Sequence, residues 1–592
     1  MTGTILFLIS FLLVYSGMLF FPKSNKSLDV IKCIFVVYIY HMCIRTVLVG
    51  IMNNLFGIPV KQSNIMILYL LCGLLLWGYI LKKKSIQKMH FERHTVFIVG
   101  VLTIAFAALS IWIFSYNMRL VYTTGDPANH FKLAMDVVNS NKVSGMYFNH
   151  LQNAIFIELF QPFLAYLKLY KAFLFANIVI NYILLIFFYI VISEFVISRL
   201  MKIIAPIICI LFYAGYPLNL FVRWGFAYFT TGVLLVAFTV YTLQLYVKET
   251  DKNTRAILMV GLILGCINTA LCYMILAPAT YLGVFIVLLA IWKRDHAKNE
   301  LYKPMIKIAG IVIFVFAILL MVMIQYFGGS IEYLLKALGT GGTTYMEFFA
   351  DFVFLMPAVL YFCISSRFKE RIQVPFLFFV GYFTCAVVEF LLVYYTDILS
   401  TYYFTKVYFP LWMLVFIILV QVIQESRGEA RKLILAYNGI FLVVAVISLL
   451  QIDVKVSARM GWNTTASIPI YQVNMGYLYQ DFEELKFSED ILALYEYVLE
   501  QDKEVTFVGS DSGSKSLTAG NWYAAMTGEE KDYYSRAEHS LEMNLEDLEE
   551  KGVEYGLVLF LEGGYYDRYK DYFDSLERIY ENNAGCLVKL EY

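Results

Sequence analysis

Apolar segments of about twenty residues recur along most of this chain, and their repetition limits the fold more than any other feature. A helix needs roughly twenty apolar residues to cross the hydrocarbon core of a bilayer. The composition agrees, because 60% of the 592 residues are hydrophobic and only 16% are charged. We therefore expect a polytopic α-helical membrane protein with about fourteen transmembrane helices. The predicted spans are 2–21, 29–51, 62–82, 95–115, 172–197, 202–220, 227–246, 256–272, 274–292, 306–327, 351–366, 373–396, 406–424 and 431–451.

Basic residues in the connections predict the orientation of these spans. Every second connection is rich in lysine and arginine, which is typical of loops that face the cytoplasm. The basic connections are 82–93, 199–202, 248–255, 293–307, 367–371 and 427–432. The N-terminus and the loops 116–171, 216–225, 328–350 and 397–405 are then expected outside. The first segment has neither a basic leader nor a small-residue cleavage site, so we expect a retained span rather than a signal peptide.

The C-terminal tail differs from the rest of the chain in charge and in pattern. Residues 452–592 contain 28 acidic and 12 basic residues, whereas the whole chain contains 46 of each. Strand-like segments at 504–509, 555–561 and 586–590 alternate with the helix-like segments 489–500 and 565–579. This alternation predicts a small parallel or mixed sheet in a soluble, extracytoplasmic α/β domain.

The prediction therefore divides the chain into three parts. They are three N-terminal transmembrane helices in 1–94, a main transmembrane region in 95–451 and the α/β domain in 452–592.

The most informative polar stretch is Val121 to Asp136, in the first long external loop. Asp126-Pro127 has the form of a helix start, with aspartate as the N-cap and proline at the first helical position. Phe131 and Ala134 begin an apolar stripe at helical spacing that continues through Met135 and Val138. We expect a short amphipathic helix on the membrane surface with a carboxylate at its entrance. Asp126 either only caps this helix or also takes part in chemistry, and the two roles are compatible.

Three further charged residues are expected at the outer boundary of the membrane. Glu158 lies in a strongly apolar stretch that forms either a second surface helix or the outer half of a longer span. It either joins Asp126 at one site or extends to the lipid headgroups. Arg223 and Lys406 are basic residues on the face where basic residues are rare, so either could hold an anionic phosphate. The alternative for both is an interfacial position among the headgroups.

Charged residues inside the predicted spans are the features that would favour a transporter. Glu389 lies well inside one span, and Arg45 with His41 lies inside another. Intramembrane charges are candidates for a transport path, and pairing between helices is the alternative. A transporter usually has more such residues, together with spans that are broken by glycine or proline.

This arrangement resembles the GT-C superfamily of membrane glycosyltransferases, which includes protein O-mannosyltransferases, the lipid A aminoarabinose transferase and mycobacterial arabinosyltransferases. The resemblance covers the predicted topology of 95–592, and the three spans before residue 95 are extra. The stretch GDPANHF around Asp126 is similar to the family's first external loop, where an acidic residue acts at the catalytic centre. YPLN with the following Arg223, and YYFTK ending at Lys406, are similar to motifs of bacterial members.

The resemblance implies glycosyl transfer from a polyprenyl-phosphate-linked sugar. Asp126 is then the general base for an acceptor hydroxyl, with inversion at the sugar, and His130 orients the substrate or Asp126. Glu158 assists as a second acid or a metal ligand, and Arg223 or Lys406 stabilises the departing phosphate. The first loop has no clean paired-acid motif, so dependence on a divalent metal ion, the one cofactor considered, stays open. The expected partners are the lipid-linked donor, a cell-surface glycan acceptor and membrane lipids, and no nucleic acid is expected. The expected location is a bacterial cell membrane.

Two other functions remain open at this point. One is a flippase or exporter of lipid-linked sugars, which predicts polar residues deep in several spans and has no need of an external domain. The other is a polysaccharide polymerase or ligase, which shares the donor chemistry and differs in the size of the transferred group.

Overall fold

The structure is a computed structural model of a helical bundle that carries a small mixed sheet in its C-terminal region. It describes residues 2–21, 27–83, 86–122, 125–143, 148–196, 199–213, 221, 225, 228–296, 373–395, 401–426, 428–429, 432–434, 436, 482–501, 504–508, 514–528 and 540–592.

Helices make up most of the described chain. In chain order they are α1 (Thr2–Phe20), α2 (Val30–Phe56), α3 (Gln62–Lys83), α4 (Arg93–Phe114), α5 (Asp126–Ser140), α6 (Asn149–Phe160), α7 (Tyr170–Ser193), α8 (Arg199–Tyr213), α9 (Phe229–Lys248), α10 (Lys252–Tyr273), α11 (Ala277–His296), α12 (Val374–Tyr395) and α13 (Thr401–Glu425). Within the described residues, seven helical segments are long and apolar enough to cross a membrane.

Most predicted spans coincide with a helix. The predicted spans 306–327, 351–366 and 431–451 lie wholly or largely outside the described residues, and a helix occupies each of the others. Helix ends follow local chemistry. The side chain of Asp29 accepts a hydrogen bond from the amide of Ile31 at the start of α2. The helix then continues past its predicted end to Gly57, which adopts the left-handed conformation with φ of 65° that favours glycine at a helix C-terminus.

Helices α7 and α9 lie in the interior of the bundle, as does the described middle of α13, where Leu411 to Val420 are all buried. In the most apolar 18 residues of α7 and of α9, 78% of the residues are buried inside the protein, whereas the corresponding share in α1, α3 and α4 is 22–28%. Helices α7 and α9 are therefore surrounded by protein. Helices α1, α3 and α4 expose apolar surface of the kind that lipid covers. Helices α10 and α11 form a hairpin, in which the hydroxyl of Tyr281 on α11 donates to the carbonyl of Cys266 on α10 at 2.9 Å. The segment before α2 pairs with the segment before α4, because β1 (Leu28–Asp29) and β2 (Met89–His90) form a short parallel pair.

Helix α5 confirms the predicted apolar stripe and corrects its surroundings. Phe131, Ala134 and Met135 are buried, as the spacing predicted. The stripe packs against protein, however, because the ring of Phe131 lies 5.6 Å from Phe173 and 5.9 Å from Trp522. The predicted position of this helix on a lipid surface is therefore wrong for its apolar face. The predicted N-cap is also wrong by one residue, since Gly125 is the N-cap and Asp126 begins the helix without a side-chain capping bond.

Four strands and six helices form the described part of the C-terminal region. They are α14 (Phe482–Leu485), α15 (Glu489–Glu500), β3 (Val505–Phe507), α16 (Ser514–Thr527), α17 (Leu541–Glu550), β4 (Tyr555–Leu559), α18 (Tyr565–Arg568), α19 (Lys570–Ser575), β5 (Arg578–Asn582) and β6 (Gly585–Lys589). The strand order is β3-β4-β6-β5, with β3 parallel to β4 and the other two pairings antiparallel. The sheet is thus mixed, which was one of the two predicted forms.

Strand β5 was missed from the sequence. The segment predicted as one helix over 565–579 contains two short helices and then the first residues of β5. A tight hairpin joins β5 to β6, in which the side chain of Asn582 accepts a hydrogen bond from the amide of Ala584 at 2.9 Å. Asparagine stabilises such a turn by bonding to backbone two residues on.

The C-terminal region shares a hydrophobic core with the helices of the bundle. This core includes Phe131 of α5, Phe173 of α7 and Trp522 of α16. A backbone link adds to it, because the amide of Tyr122 donates to the carbonyl of Leu485 at 2.6 Å and the amide of Phe487 donates to the carbonyl of Leu120 at 3.0 Å. The region is therefore packed directly on the segment that leads into α5.

Candidate active site

The start of α5 places a carboxylate beside an imidazole. Asp126 and His130 are one helical turn apart, and Oδ2 of Asp126 lies 3.6 Å from Nε2 of His130. Side chains four residues apart on a helix face the same side, so this proximity follows from the local fold. The Asp126 side chain is 35% exposed and that of His130 is 20% exposed, which leaves both accessible to a substrate.

A tyrosine from the bundle fixes the turn that carries His130. Tyr228 lies at the start of α9, and its hydroxyl donates to the backbone carbonyl of His130 at 3.0 Å. Its ring meets the imidazole of His130 edge-on, with centroids 4.0 Å apart. The same ring contacts His150 of α6 at 4.7 Å. Tyr228 therefore links α5, α6 and α9 at one point.

His150 is a neutral imidazole in this arrangement. It is almost fully buried, and burial lowers its pKa to about 3, with a smaller contribution from the nearby His130. A neutral ring can donate one hydrogen bond and accept another, but it adds no charge to the site. Asn153, one turn further along α6, lies beside the hydroxyl of Tyr228.

Lys406 of α13 supplies a cation to the same end of the bundle. The residue is only 8% exposed, and its ammonium group lies 5.8 Å from the ring centroid of Tyr273. It is close enough to Asp126 for the two charges to interact. Five side chains, from α5, α6, the start of α9 and α13, thus lie close together. We refer to them as the Asp126 cluster, which consists of Asp126, His130, His150, Tyr228 and Lys406.

Two of the residues predicted for this site are placed differently or lie outside the described chain. The described contacts do not bring Glu158 to Asp126. Its carboxyl lies near Lys61 and the backbone of Gln62 at the start of α3, and burial raises its pKa to about 7. Arg223 lies outside the described residues. In the part of the chain that the structure describes, no group of three or more metal-ligating side chains is present.

A second polar cluster lies deeper in the bundle. Arg45 and His41 of α2 are 7% and 3% exposed, and a guanidinium nitrogen of Arg45 donates to the side-chain oxygen of Gln152 on α6. The amide of Gln152 in turn donates to the hydroxyl of Tyr38 at 3.0 Å. The ring of Tyr69 on α3 lies 5.0 Å from the ring of His41. We call this group the Arg45 cluster; it consists of Arg45, His41, Tyr38, Tyr69 and Gln152.

Glu389 is separate from the Arg45 cluster in the described chain. It lies on α12, where its carboxylate accepts a weak hydrogen bond from the thiol of Cys385 at 3.5 Å. No described contact joins Glu389 to Arg45, so these two charges do not form a continuous polar path among the described residues.

The residues around Asp126 differ in how visible they are in the sequence. His150 belongs to a run of polar residues, Asn149, His150, Gln152 and Asn153, within an otherwise apolar stretch, and that run was a detectable signal. Tyr228 lies among other aromatic residues and had no distinguishing pattern. No family model, no curated protein and no solved structure matches this chain.

Proposed function

We propose that this chain is a membrane glycosyltransferase that moves a sugar from a polyprenyl-phosphate donor to a hydroxyl acceptor at the outer face of the membrane. The observation that carries the proposal is the convergence of Asp126, His130 and Lys406 at one end of an apolar helical bundle. A base for the acceptor and a cation for the phosphate are the two groups that such a transfer requires. The GT-C resemblance around Asp126 supports the same reaction.

In the proposed reaction Asp126 acts as the general base. It takes the proton of the acceptor hydroxyl as that oxygen attacks the anomeric carbon from the face opposite the phosphate. The new carbon–oxygen bond forms, the bond to the phosphate oxygen breaks, and its electron pair leaves with the polyprenyl phosphate, so the sugar inverts. General-base catalysis of this kind contributes roughly a hundred- to ten-thousandfold. His130, 3.6 Å from the carboxylate, orients Asp126 toward the acceptor.

Lys406 stabilises the phosphate as negative charge develops on it. The ammonium group is largely shielded from water, where a fixed charge is more effective than in solution. His150, buried and neutral, packs against Tyr228 and adds no charge that would compete for the phosphate. Tyr228 keeps the backbone of His130 in place.

The orientation with Asp126 outside is supported by contacts at the other end of the bundle. The pairing of β1 with β2 joins residues 28–29 to the basic connection 82–93, and the alternation of the predicted spans puts both on the cytoplasmic side. Glu194 also contacts Lys32 at 3.1 Å and Lys248 at 3.6 Å, and both of these lysines lie at predicted cytoplasmic boundaries. The predicted outer segments around Asp126, Tyr273 and Lys406 likewise meet one another. The fourteen-span topology and a bacterial cell-surface glycan as acceptor complete the proposal.

The test compares Asp126→Asn with Asp136→Asn in protein reconstituted in vesicles with a polyprenyl-phosphate sugar. Asp136 is an exposed acid on the same helix and is a matched control. We expect Asp126→Asn to lower the turnover number by about a hundredfold or more, and Asp136→Asn to leave it within about twofold. Equal turnover by the two variants would remove Asp126 from the mechanism.

A further inference from the structure

Gly125, the residue before Asp126, is required for space rather than for backbone conformation. Its φ of −78° and ψ of −10° are accessible to any residue, so no conformational strain demands glycine here. A Cβ atom at this position would, however, lie 2.7 Å from Cγ of Asn521 and closer still to Nδ2 of that side chain. Asn521 belongs to α16, far along the chain. The C-terminal region therefore touches the backbone immediately before the proposed base.

Asn521 is held firmly where it meets Gly125. The residue is fully buried, and its amide donates to the carbonyl of Leu517 one turn earlier in α16 at 2.9 Å. The next residue, Trp522, packs on Phe131 of α5 at 5.9 Å and on Tyr170 at 6.3 Å. Since these rings anchor α16 against the bundle, Asn521 cannot move away without disturbing the shared core.

The contact between Gly125 and Asn521 lies at the residue that begins the hydrogen bonding of α5. The carbonyl of Gly125 accepts hydrogen bonds from the amides of Ala128 at 3.1 Å and Asn129 at 3.2 Å, which begin the helical bonding of α5. The other side of the same segment is held by the ring of Tyr122, which stacks on Phe487 with centroids 4.0 Å apart. Tyr122 and Gly125 are thus each in contact with the C-terminal region.

We propose that Asn521 is a positioning residue that sets the location of the Asp126 carboxylate through Gly125. The C-terminal region then completes the active site by bracing the catalytic turn, in addition to any contact it makes with an acceptor. The role of Asn521 in transfer rests on the proposed function of Asp126, whereas the steric coupling of Gly125 to Asn521 does not depend on it. A misplacement of a catalytic group by about 1 Å costs on the order of a hundredfold in rate.

The test is a double-mutant cycle of Gly125→Ala and Asn521→Ala in the full-length protein. Gly125→Ala introduces the clash, so we expect the turnover number to fall by about a hundredfold while KM for the donor changes less than about threefold. Asn521→Ala removes the clashing atoms and leaves only its own Cβ, 3.2 Å from the new methyl group. The double variant should therefore recover to within about threefold of Asn521→Ala alone.

Two control variants separate this coupling from general damage. Gly100→Ala adds a methyl group to an exposed helical glycine with no atom within 4 Å. Asn544→Ala removes a buried asparagine of the C-terminal region that bonds to Tyr565 rather than to α5. Both should keep the turnover number within about threefold of the unmodified protein.

Hydrogen exchange at the amides of 120–130 provides a readout that is independent of activity. We expect faster exchange in Gly125→Ala, and recovery in the double variant. Additive effects of the two substitutions on exchange and turnover would overturn the proposal, as would exchange coupling without any change in turnover. If Asp126→Asn retains full transfer while the exchange of Gly125→Ala is still rescued by Asn521→Ala, the proposed function has failed and the positioning role fails with it, but the steric brace stands.

Discussion

The Asp126 cluster and the Arg45 cluster both use α6, yet only the first contains a carboxylate, and that carboxylate is partly exposed. His150 belongs to the first and Gln152, two residues away, to the second. The Asp126 side chain is 35% exposed, whereas Arg45 and His41 are 7% and 3% exposed. An exposed carboxylate can receive a substrate, and a buried guanidinium that bonds to a neighbouring helix serves packing. The cations of the two clusters, Lys406 and Arg45, are 8% and 7% exposed, so the difference between a reactive and a structural cluster lies here in the accessible carboxylate and not in the buried charge.

Replacing the cation of each cluster by methionine should have opposite consequences. Lys406→Met removes the charge that stabilises the departing phosphate, and we expect about a hundredfold lower turnover with little change in thermal stability. Arg45→Met should keep turnover within about threefold. It should lower the free energy of unfolding by about 1–3 kcal/mol, because the side-chain oxygen of Gln152 loses its donor. Turnover assays and thermal unfolding of both variants in one detergent check this.

The comparison would fail if Arg45→Met abolished transfer in a protein that remained folded. A second variant, Gln152→Leu combined with Arg45→Met, should regain part of the stability lost in Arg45→Met, because no unpaired side-chain oxygen of Gln152 remains. The recovery is incomplete, because the hydroxyl of Tyr38 loses the hydrogen bond from the Gln152 amide.

His150 should make the protein sensitive to acid. Its pKa is lowered to about 3 in the fold, from an unperturbed value near 6.5. Between these values the unfolded chain binds a proton that the folded protein does not, so stability falls as the pH falls from about 6.5 toward 3. The slope is at most about 1.4 kcal/mol per pH unit for one such group. Thermal unfolding of His150→Gln should show a shallower decline over this range, and an unchanged decline would mean that His150 is charged or exposed.

Glu158 tests whether α6 carries catalytic groups beyond those of the Asp126 cluster. Burial raises its pKa to about 7, so the folded protein loses stability as the pH rises from about 4.5 to 7. Glu158→Gln should therefore stabilise the protein above pH 7 and leave its stability at pH 4 almost unchanged. Turnover should stay within about twofold, since the described contacts of Glu158 are at the start of α3. A loss of tenfold or more would place Glu158 in the catalytic machinery.

The features that could be predicted from the sequence are those set by neighbours along the chain. The helical spans follow from runs of apolar residues, and the start of α5 follows within one residue from Asp126-Pro127. The buried stripe around Phe131 also followed from helical spacing. Its covering by Trp522 could not be predicted, because nothing local to α5 indicates a partner nearly four hundred positions away.

Parts of the site that depend on tertiary contacts were predicted unevenly. Lys406 was singled out because it is basic on a face where basic residues are rare, and the structure places it near Asp126. Glu158 was singled out as a carboxylate in a strongly apolar stretch, yet the structure places it near Lys61 and not near Asp126. Tyr228 was missed because 17% of this chain is aromatic and Tyr228 stands among other aromatic residues. Charge at an unusual place marks a candidate, but only packing decides which candidates meet.

The most direct test of the account is the fate of a labelled polyprenyl-phosphate sugar on vesicles that contain the purified protein. The account predicts that polyprenyl phosphate is released, and that the sugar appears on an acceptor hydroxyl with the anomeric configuration opposite to that of the donor. Nuclear magnetic resonance of the product gives the configuration. Intact donor that has only moved between the two leaflets of the vesicle would contradict glycosyl transfer and identify the chain as a transporter.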